Sequence, residues 1–145
     1  MKILFDTNIL VHAYNKSSVN QKKASTIVKK ALRGEIDAYL TPQVLYEFFA
    51  IVTNPKRVEY PLPVKEAVEL CIDLWGCGEI EKINPSSFAS MEVFELVKVQ
   101  KLSGGKVFDC VLAVTAKENG IDTIYTENVK DFKNYGFIAA LNPLV

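Results

Sequence analysis

The sequence predicts an α/β fold of three layers, in which helices cover both faces of a central parallel sheet of four to five short strands. Short strand candidates, such as the apolar residues 3–5 and the segment 37–40, alternate along the chain with longer stretches of helical periodicity. Strands that alternate with helices are joined by right-handed crossovers. They therefore form a parallel sheet that is buried between two helical layers.

The first strand and the first helix are predicted at the start of the chain. Residues 3–5 are apolar, and the polar residues Asp6, Thr7 and Asn8 follow at once. Thr or Asn in this place is a natural helix N-cap, so we expect a short helix over residues 9–14. Asp6 is then at the carboxyl end of a strand, which is where ligands bind in open α/β sheets.

A second helix, a second strand and a third helix follow. The spacing of the apolar side chains over residues 24–32 predicts a helix that ends at Gly34. Residues 37–40 are the next strand candidate. Thr41 and Pro42 then provide an N-cap and a favoured first residue for the third helix.

The second half of the chain continues the alternation. A linker with Pro61 and Pro63 precedes a helix whose clean apolar stripe ends at Trp75, and we interpret this helix as support for the core. Asn84 and Pro85 are expected to cap the helix that follows them. The other predicted elements are a weak strand at 80–83, a helix at 88–99, a helix at 107–116 that is buried on most faces, and strands at 122–125 and 137–140.

Length and composition fit one domain over residues 1–145, with 49% hydrophobic and 23% charged residues. No apolar run approaches the roughly 18 residues of a membrane span. The N-terminus also lacks the pattern of a signal peptide, so we expect a cytoplasmic protein without membrane contact. Three cysteines without a CxxC pair and a single histidine, His12, argue against a metal cluster of Cys and His ligands.

The charges of the chain balance. Seventeen basic and seventeen acidic residues give a formal net charge of zero. This balance argues against nonspecific binding of nucleic acid, which depends on neutralising many phosphates, so any nucleic-acid site must be local. The candidate basic residues for such a site are Lys22, Lys23, Lys56, Arg57 and Lys106.

Two carboxylates occupy positions where the apolar pattern predicts burial. Glu47 shares a helix face with Val44 and other apolar residues, and Asp109 is the only charge within residues 107–116. A buried carboxylate is costly unless a cation receives it. For Asp109 the alternative to a metal ion is a salt bridge with Lys106, which precedes it on the same helix.

A second polar segment follows a predicted strand. Hydroxyl, amide and acid side chains occur within residues 126–131, directly after the strand candidate at 122–125. We expect this segment and Asp6 to share the carboxyl rim of the sheet, with Glu47 and Asp109 projecting toward it. Clustered acids repel one another, so the arrangement indicates a hard divalent cation, Mg²⁺ or Mn²⁺. Such a cation activates water and stabilises charge on a phosphate, which favours hydrolysis of a phosphodiester.

Four motifs occur in a characteristic order. They are Asp6-Thr7-Asn8, Val-Leu-Tyr-Glu-Phe at residues 44–48, Phe108-Asp109 before Val-Leu-Ala-Val-Thr-Ala at residues 111–116, and Thr-Glu-Asn-Val-Lys-Asp-Phe at residues 126–132. Together they strongly resemble the PIN-domain family, in particular the VapC-type toxins of VapBC toxin–antitoxin pairs, and the similarity covers nearly the whole chain. The resemblance implies a PIN-like α/β sheet with a metal-dependent ribonuclease site. It also implies a homodimer and an antitoxin whose tail wraps the toxin and covers this site.

The resemblance further implies roles for individual residues. Asp6, Glu47 and Asp109 match the first three acids of the family: Asp6 and Asp109 as direct metal ligands, and Glu47 as a ligand or as the orienter of the attacking water. Many members have Asp where this chain has Asn128, which leaves one or two metal ions as alternatives. The residues expected to support the site are Thr7, Asn8, Thr126, Asn128 and Asp131, with the two threonines acting through their hydroxyls.

Two other interpretations stay open at this point. A binding protein of the same fold that has lost catalysis is motivated by Asn128 and by the zero net charge. A flavodoxin-like signalling receiver is motivated by the acid after the first strand. The receiver is disfavoured because residues 80–83 offer no phospho-accepting Asp and because Glu47, on a helix, has no role in it.

Overall fold

Five strands and six helices alternate along the chain in a computed structural model that describes residues 1–145. The strands form one parallel sheet in the order β3-β2-β1-β4-β5, which confirms the predicted three-layer fold class. The strand bounds agree with the predicted ones to within two residues. The elements are β1 (Lys2–Phe5), α1 (Thr7–Tyr14), α2 (Gln21–Leu32), β2 (Asp37–Leu40), α3 (Pro42–Val52), α4 (Val64–Gly76), β3 (Ile80–Lys82), α5 (Ala89–Gln100), α6 (Lys106–Glu118), β4 (Thr123–Tyr125), a 3₁₀ turn (Val129–Phe132) and β5 (Ala139–Leu141).

The strand β1 lies at the centre of the sheet, with β2 and β3 on one side of it and β4 and β5 on the other. The chain moves from β1 outward through β2 to β3 and then returns to the other side of β1 to form β4 and β5. With right-handed crossovers, α1 to α4 cover one face of the sheet, and α5 and α6 cover the other. The carboxyl ends of β1 and β4 are therefore adjacent, with Phe5 in register with Tyr125, and ligands bind at such a switch point.

The core fills the space between the sheet and both helical layers. Leu4 of β1 and Ile124 of β4 are completely buried, together with Phe48 of α3 and Ala113 of α6. Burial of this apolar surface is the main favourable contribution to folding. The packed core also holds the carboxyl ends of the strands in place, and the polar residues of the sheet rim follow directly after these ends. None of the helices is both long enough and apolar enough to cross a membrane.

The start of α1 differs from the prediction. The helix begins at Thr7, two residues before the predicted start, and its N-cap is Asp6 rather than Thr7 or Asn8. Asp6 keeps an extended backbone (φ −76°, ψ 157°), and its Oδ1 accepts a hydrogen bond of 2.8 Å from the backbone N–H of Thr7. The carboxylate at the end of β1 therefore also begins the first helix.

The two other predicted caps have different outcomes. Thr41 caps α3 as predicted, because its Oγ1 accepts a hydrogen bond of 3.2 Å from the N–H of Val44. The prediction that Asn84 and Pro85 cap α5 is wrong, since α5 begins only at Ala89. The intervening turn is instead tied to the end of α6, where Glu118 accepts a 2.9 Å hydrogen bond from the backbone N–H of Ser86.

The helix α4 is less buried than its apolar stripe predicts. Only Ala67 and Leu74 are fully buried in it, whereas Ile72 is 64% and Trp75 is 37% exposed. The interpretation of α4 as plain support for the core is therefore only partly right. Its second apolar face lies beside α3 and forms a groove with Tyr46.

Candidate active site

A cavity of about 420 Å³ opens at the carboxyl rim of β1 and β4. It brings together three acids that are far apart in sequence: Asp6 after β1, Glu47 on α3 and Asp109 on α6. Two larger depressions contain neither Asp6 nor Asp109. The residues that line the acidic cavity are Asp6, Thr7, Asn8, Val11, His12, Asn15, Glu47, Ile51, Arg57, Asp109, Glu127 and Asn128.

Asp6 is the most buried of these acids, with 8% of its surface exposed. Its Oδ1 accepts from the backbone N–H of Thr7, and its Oδ2 accepts from the Thr126 hydroxyl at 2.7 Å and from the Asn8 amide at 3.2 Å. Burial raises the pKa of Asp6, and these three hydrogen bonds oppose that rise. The carboxylate is thus held in one orientation, at the junction of β1 and β4.

Glu47 is held by two side chains. The Thr7 hydroxyl donates to its Oε2 at 3.0 Å, and the Gln43 amide donates to its Oε1 at 3.0 Å. Thr7 therefore connects the first two acids, because its backbone N–H binds Asp6 and its hydroxyl binds Glu47. Gln43 was missed in the sequence, although its spacing four residues before Glu47 on the same helix is a usable signal.

Asp109 is half-buried in the first turn of α6 and has no hydrogen-bond or ion-pair partner among the side chains. Burial, followed by the charges of Asp6, Asp131 and Glu47, raises the pKa of Asp109 to about 7, and Lys106 acts in the opposite direction. The proposed salt bridge with Lys106 does not form. The charged form of Asp109 is therefore unfavourable in the absence of a cation, and a bound cation would stabilise it.

Asn8 links α1 to the segment after β4. Its Nδ2 donates to Asp6 and, at 3.3 Å, to the Thr126 hydroxyl, and its Oδ1 accepts a hydrogen bond of 3.0 Å from the N–H of Glu127. The Thr126 hydroxyl also accepts from the N–H of Asn128 at 3.0 Å. The polar segments that follow β1 and β4 are thus joined directly, as expected from the adjacency of their strands.

The remaining predicted residues lie further out. Asn128 is exposed but lines the cavity. Asp131 is exposed in the 3₁₀ turn and does not line the cavity, although its charge contributes to the raised pKa of Asp109. The structure therefore brings seven of the eight predicted site residues to or beneath the cavity and leaves Asp131 at a distance, where it acts by charge alone.

His12 and Glu127 form a pair that the sequence did not reveal. His12 Nε2 lies 2.8 Å from Glu127 Oε2, and its Nδ1 lies 2.5 Å from the Ser18 hydroxyl oxygen. His12 lines the cavity, and each of its ring nitrogens has a hydrogen-bond partner. The available signal was the spacing of Asn8 and His12, which places both on one face of α1.

The chemistry of these donors suits a hard divalent cation. Asp6, Glu47 and Asp109 supply carboxylate oxygens, and Asn128 supplies an amide oxygen, which are ligands that Mg²⁺ and Mn²⁺ prefer. As they stand, no three acidic, cysteine or histidine side chains come close enough to enclose a metal ion. Hydrogen bonds hold Asp6 in place. For all three carboxylates to contact one cation, the half-buried side chain of Glu47 or of Asp109 would therefore have to move.

The fold and the site define a class of protein: a parallel α/β domain whose acidic cavity at the strand switch point suits a divalent cation. The sequence model of the PIN domain matches residues 3–138, and the chain belongs to the PIN-domain family.

Comparison with individual proteins agrees with this membership. Ribonuclease VapC24 of Mycobacterium tuberculosis is 28% identical over 144 residues, which cover 96% of this chain and 94% of that protein. Two solved structures share the fold. VapC20 of M. tuberculosis, a sarcin-ricin loop cleaving toxin, has a TM-score of 0.68 at 14% identity and covers 94% of this chain and 97% of that chain. VapBC2 of Rickettsia felis, bound to a DNA fragment from its promoter, has a TM-score of 0.65 at 21% identity and covers 98% of both chains.

Replacing Asp109 by Asn should stabilise the metal-free protein at high pH. The pKa of Asp109 is about 7 in the folded state against 3.8 for an ordinary Asp, so the folded state binds more protons than the unfolded state between these values. Stability from this group is present below pH 4 and is lost as the pH rises through 7. In EDTA at pH 8, the free energy of unfolding of Asp109→Asn should be higher than that of the parent protein by on the order of 1 kcal/mol. The difference is this small because the half-buried carboxylate is partly solvated.

Urea denaturation at pH 4 and pH 8 measures the free energy of unfolding of the variant and of the parent protein. The two values should differ at pH 8 and be nearly equal at pH 4. Asp73→Asn on α4, outside the cavity, is the matched control for the removal of one carboxylate. A destabilisation of equal size at both pH values in Asp109→Asn would contradict the electrostatic explanation.

Proposed function

We propose that this protein is a metal-dependent endoribonuclease that acts in the cytoplasm as the toxin of a type II toxin–antitoxin pair. The observation that carries the proposal is the convergence of Asp6, Glu47 and Asp109 on one cavity without a lysine or arginine that pairs with any of them. Membership of the PIN-domain family and the similarity to a ribonuclease, VapC24, support the same reaction class.

Asp6, Glu47 and Asp109 would hold one Mg²⁺ or Mn²⁺ ion. When bound, such a cation supplies the positive charge that activates water and stabilises the phosphate during hydrolysis. One ion is favoured over two because the fourth acid at the cavity, Glu127, is already paired with His12. The reaction adds water to phosphorus, breaks one P–O bond and releases the ribose oxygen as a hydroxyl group.

The surrounding side chains would orient the acids and the substrate. Thr7 and Gln43 hold both oxygens of Glu47, which directs this carboxylate to accept a proton from the attacking water. Thr126 keeps Asp6 in a fixed orientation as a ligand. Asn128, exposed at the cavity, is available to donate a hydrogen bond to a phosphate oxygen without adding negative charge.

Cleavage of RNA by the purified chain tests this mechanism. We expect activity with Mg²⁺ or Mn²⁺, loss of activity in EDTA, and a decrease on the order of 100-fold or more for Asp6→Asn and Asp109→Asn. Asp73→Asn should retain the parent rate. Cleavage that survives chelation and both substitutions would eliminate a metal mechanism that depends on these carboxylates.

A binding protein that has lost catalysis is the second candidate. It is favoured by Asn128 in place of an acid and by the spread of the three carboxylates, which do not enclose a metal ion as they stand. The same assay separates the two functions. RNA binding without cleavage, together with no heat of Mg²⁺ binding in calorimetry, would replace the nuclease by this candidate.

An antitoxin would bind the apolar groove between α3 and α4. The groove has a volume of about 520 Å³, and Tyr46, Ile72 and Trp75 leave 73%, 64% and 37% of their surfaces exposed there. A neighbouring depression shares Tyr46 with the groove and includes Glu47, so a bound segment can continue from the groove to the acidic cavity. The structural similarity to VapBC2 of R. felis supports a partner of this kind.

Ile72→Glu should abolish recovery of the antitoxin. The substitution places a charge in an apolar groove, where its desolvation opposes binding of an apolar segment. Co-purification from the native operon measures the effect. Val19→Glu, at an exposed apolar residue outside the groove, should leave recovery unchanged. Equal recovery with both variants would remove the groove as the antitoxin site.

A second copy of the chain would cover the exposed apolar side of α5. Met91 and Phe94 on this helix are 69% and 65% exposed, and Phe88 beside it is 82% exposed. A contiguous apolar surface of this kind on a helix indicates a protein contact. The groove on α3 and α4 belongs to the opposite helical layer, so the two interfaces do not compete.

Phe94→Glu should convert the dimer into a monomer, because two copies of the new charge would face each other across a two-fold interface. Light scattering at several concentrations measures the mass. The parent chain and Val19→Glu should both give twice the monomer mass. A parent chain that is monomeric throughout would refute the homodimer, and a dimeric Phe94→Glu variant would place its interface elsewhere.

A further inference from the structure

We propose that Arg57 holds the phosphate backbone of the RNA at the mouth of the acidic cavity, an inference that rests on the proposed nuclease function. RNA approaching this cavity meets the like charges of Asp6, Glu47 and Asp109, which repel a phosphate in the absence of compensating cations. A metal ion held by these acids would offset part of this charge. Binding of a phosphate at the rim of the cavity also requires a positively charged side chain, and Arg57 lies there.

Among the lysines and arginines of the chain, Arg57 alone lines the cavity. Lys23 is engaged elsewhere, since its Nζ donates to the carbonyl of Leu144 at 3.1 Å. Lys106 acts on Asp109 through its charge but does not line the cavity, and Lys56 does not line it either. The structure therefore singles out one of the basic candidates that the sequence left equivalent.

The guanidinium of Arg57 has no competing partner. It forms no ion pair within 4.0 Å and no side-chain hydrogen bond, although the cavity that it lines contains four carboxylates. All five of its N–H donors are free, and their planar arrangement matches two oxygens of a phosphate. An arginine left unpaired beside an acidic cavity is suited to a ligand that is itself anionic.

The backbone that carries Arg57 is held in place. Asn54 accepts hydrogen bonds on its carbonyl from the N–H of Arg57 at 2.9 Å and of Val58 at 3.1 Å, and on its side chain from the N–H of Lys56 at 2.9 Å. Val58, only 6% exposed, anchors the end of this turn in the protein. The turn directly follows α3, so one structural unit presents both Glu47 and Arg57 to the cavity.

Arg57 would bind the nucleotide backbone beside the reacting phosphate. The reacting phosphate must lie against Asp6 and Asp109, whereas Arg57 is an exposed residue whose guanidinium is not within 4.0 Å of either. Its contact is consequently the same before and during the reaction, which is uniform binding of substrate and transition state. Loss of Arg57 should raise KM and leave kcat nearly unchanged.

Steady-state cleavage of a single-stranded RNA with Mn²⁺ by Arg57→Ala, Arg57→Lys and Lys56→Ala tests this proposal. Arg57→Ala should raise KM by about tenfold or more, since it removes hydrogen bonds to a charged group, with kcat changed by less than about threefold. Arg57→Lys should recover part of the loss. Lys56→Ala, which removes the same charge from the adjacent residue, should keep KM within about twofold. Equal effects of Arg57→Ala and Lys56→Ala, or a loss confined to kcat, would overturn the assignment.

A second measurement separates this inference from the nuclease function. Fluorescence polarisation of the same labelled RNA gives its affinity for each variant, whether or not the RNA is cleaved. If the parent protein binds RNA without cleaving it, the nuclease proposal fails, and a tenfold weaker affinity of Arg57→Ala alone still supports Arg57 as the phosphate contact. If all variants bind RNA equally, the role of Arg57 is refuted even when cleavage is observed.

Discussion

The site depends on one constraint: the buried carboxylate of Asp6 must have hydrogen-bond donors. Asp6 ends β1, caps α1 and accepts the Thr126 hydroxyl from the end of β4 at 2.7 Å. An unsatisfied carboxylate in this place would cost several kcal/mol, so the hydrogen bonds from Thr7, Asn8 and Thr126 stabilise the fold as well as orient Asp6. The same hydrogen bonds join the ends of two strands and orient the carboxylate that we propose as a metal ligand.

The electrostatics of the cavity follow from a local imbalance within a balanced chain. The formal net charge is zero, yet Asp6, Glu47 and Asp109 face one cavity that contains a single arginine, Arg57. Burial, together with the charges of the neighbouring acids, raises the pKa of Asp109. A cation at the floor and an arginine at the rim together would turn a cavity that repels phosphate into one that binds it.

The apolar surface of the chain is divided between its core and two surfaces left open to water. The helical period of α4 and α5 predicts an apolar stripe correctly, but a stripe does not reveal whether its partner lies in the same chain. Ala67 of α4 packs into the core, whereas Ile72 of α4 and Phe94 of α5 stay exposed. Exposed apolar residues of this size agree with the proposed contacts with an antitoxin and with a second copy of the chain.

The sequence by itself determined the strand and helix order, the parallel sheet and the candidate acids Asp6, Glu47 and Asp109, because apolar periodicity, helix caps and costly buried charges are local signals. Only the tertiary structure decided which side chains touch. The pairing of His12 with Glu127 joins residues 115 positions apart and exists because β4 returns to lie beside β1. The same holds for Arg57, since Lys56 and Lys106 carry the same charge but do not line the cavity. Sequence composition does not reveal these side-chain contacts, because they depend on where the crossover connections place each turn relative to the carboxyl rim of the sheet.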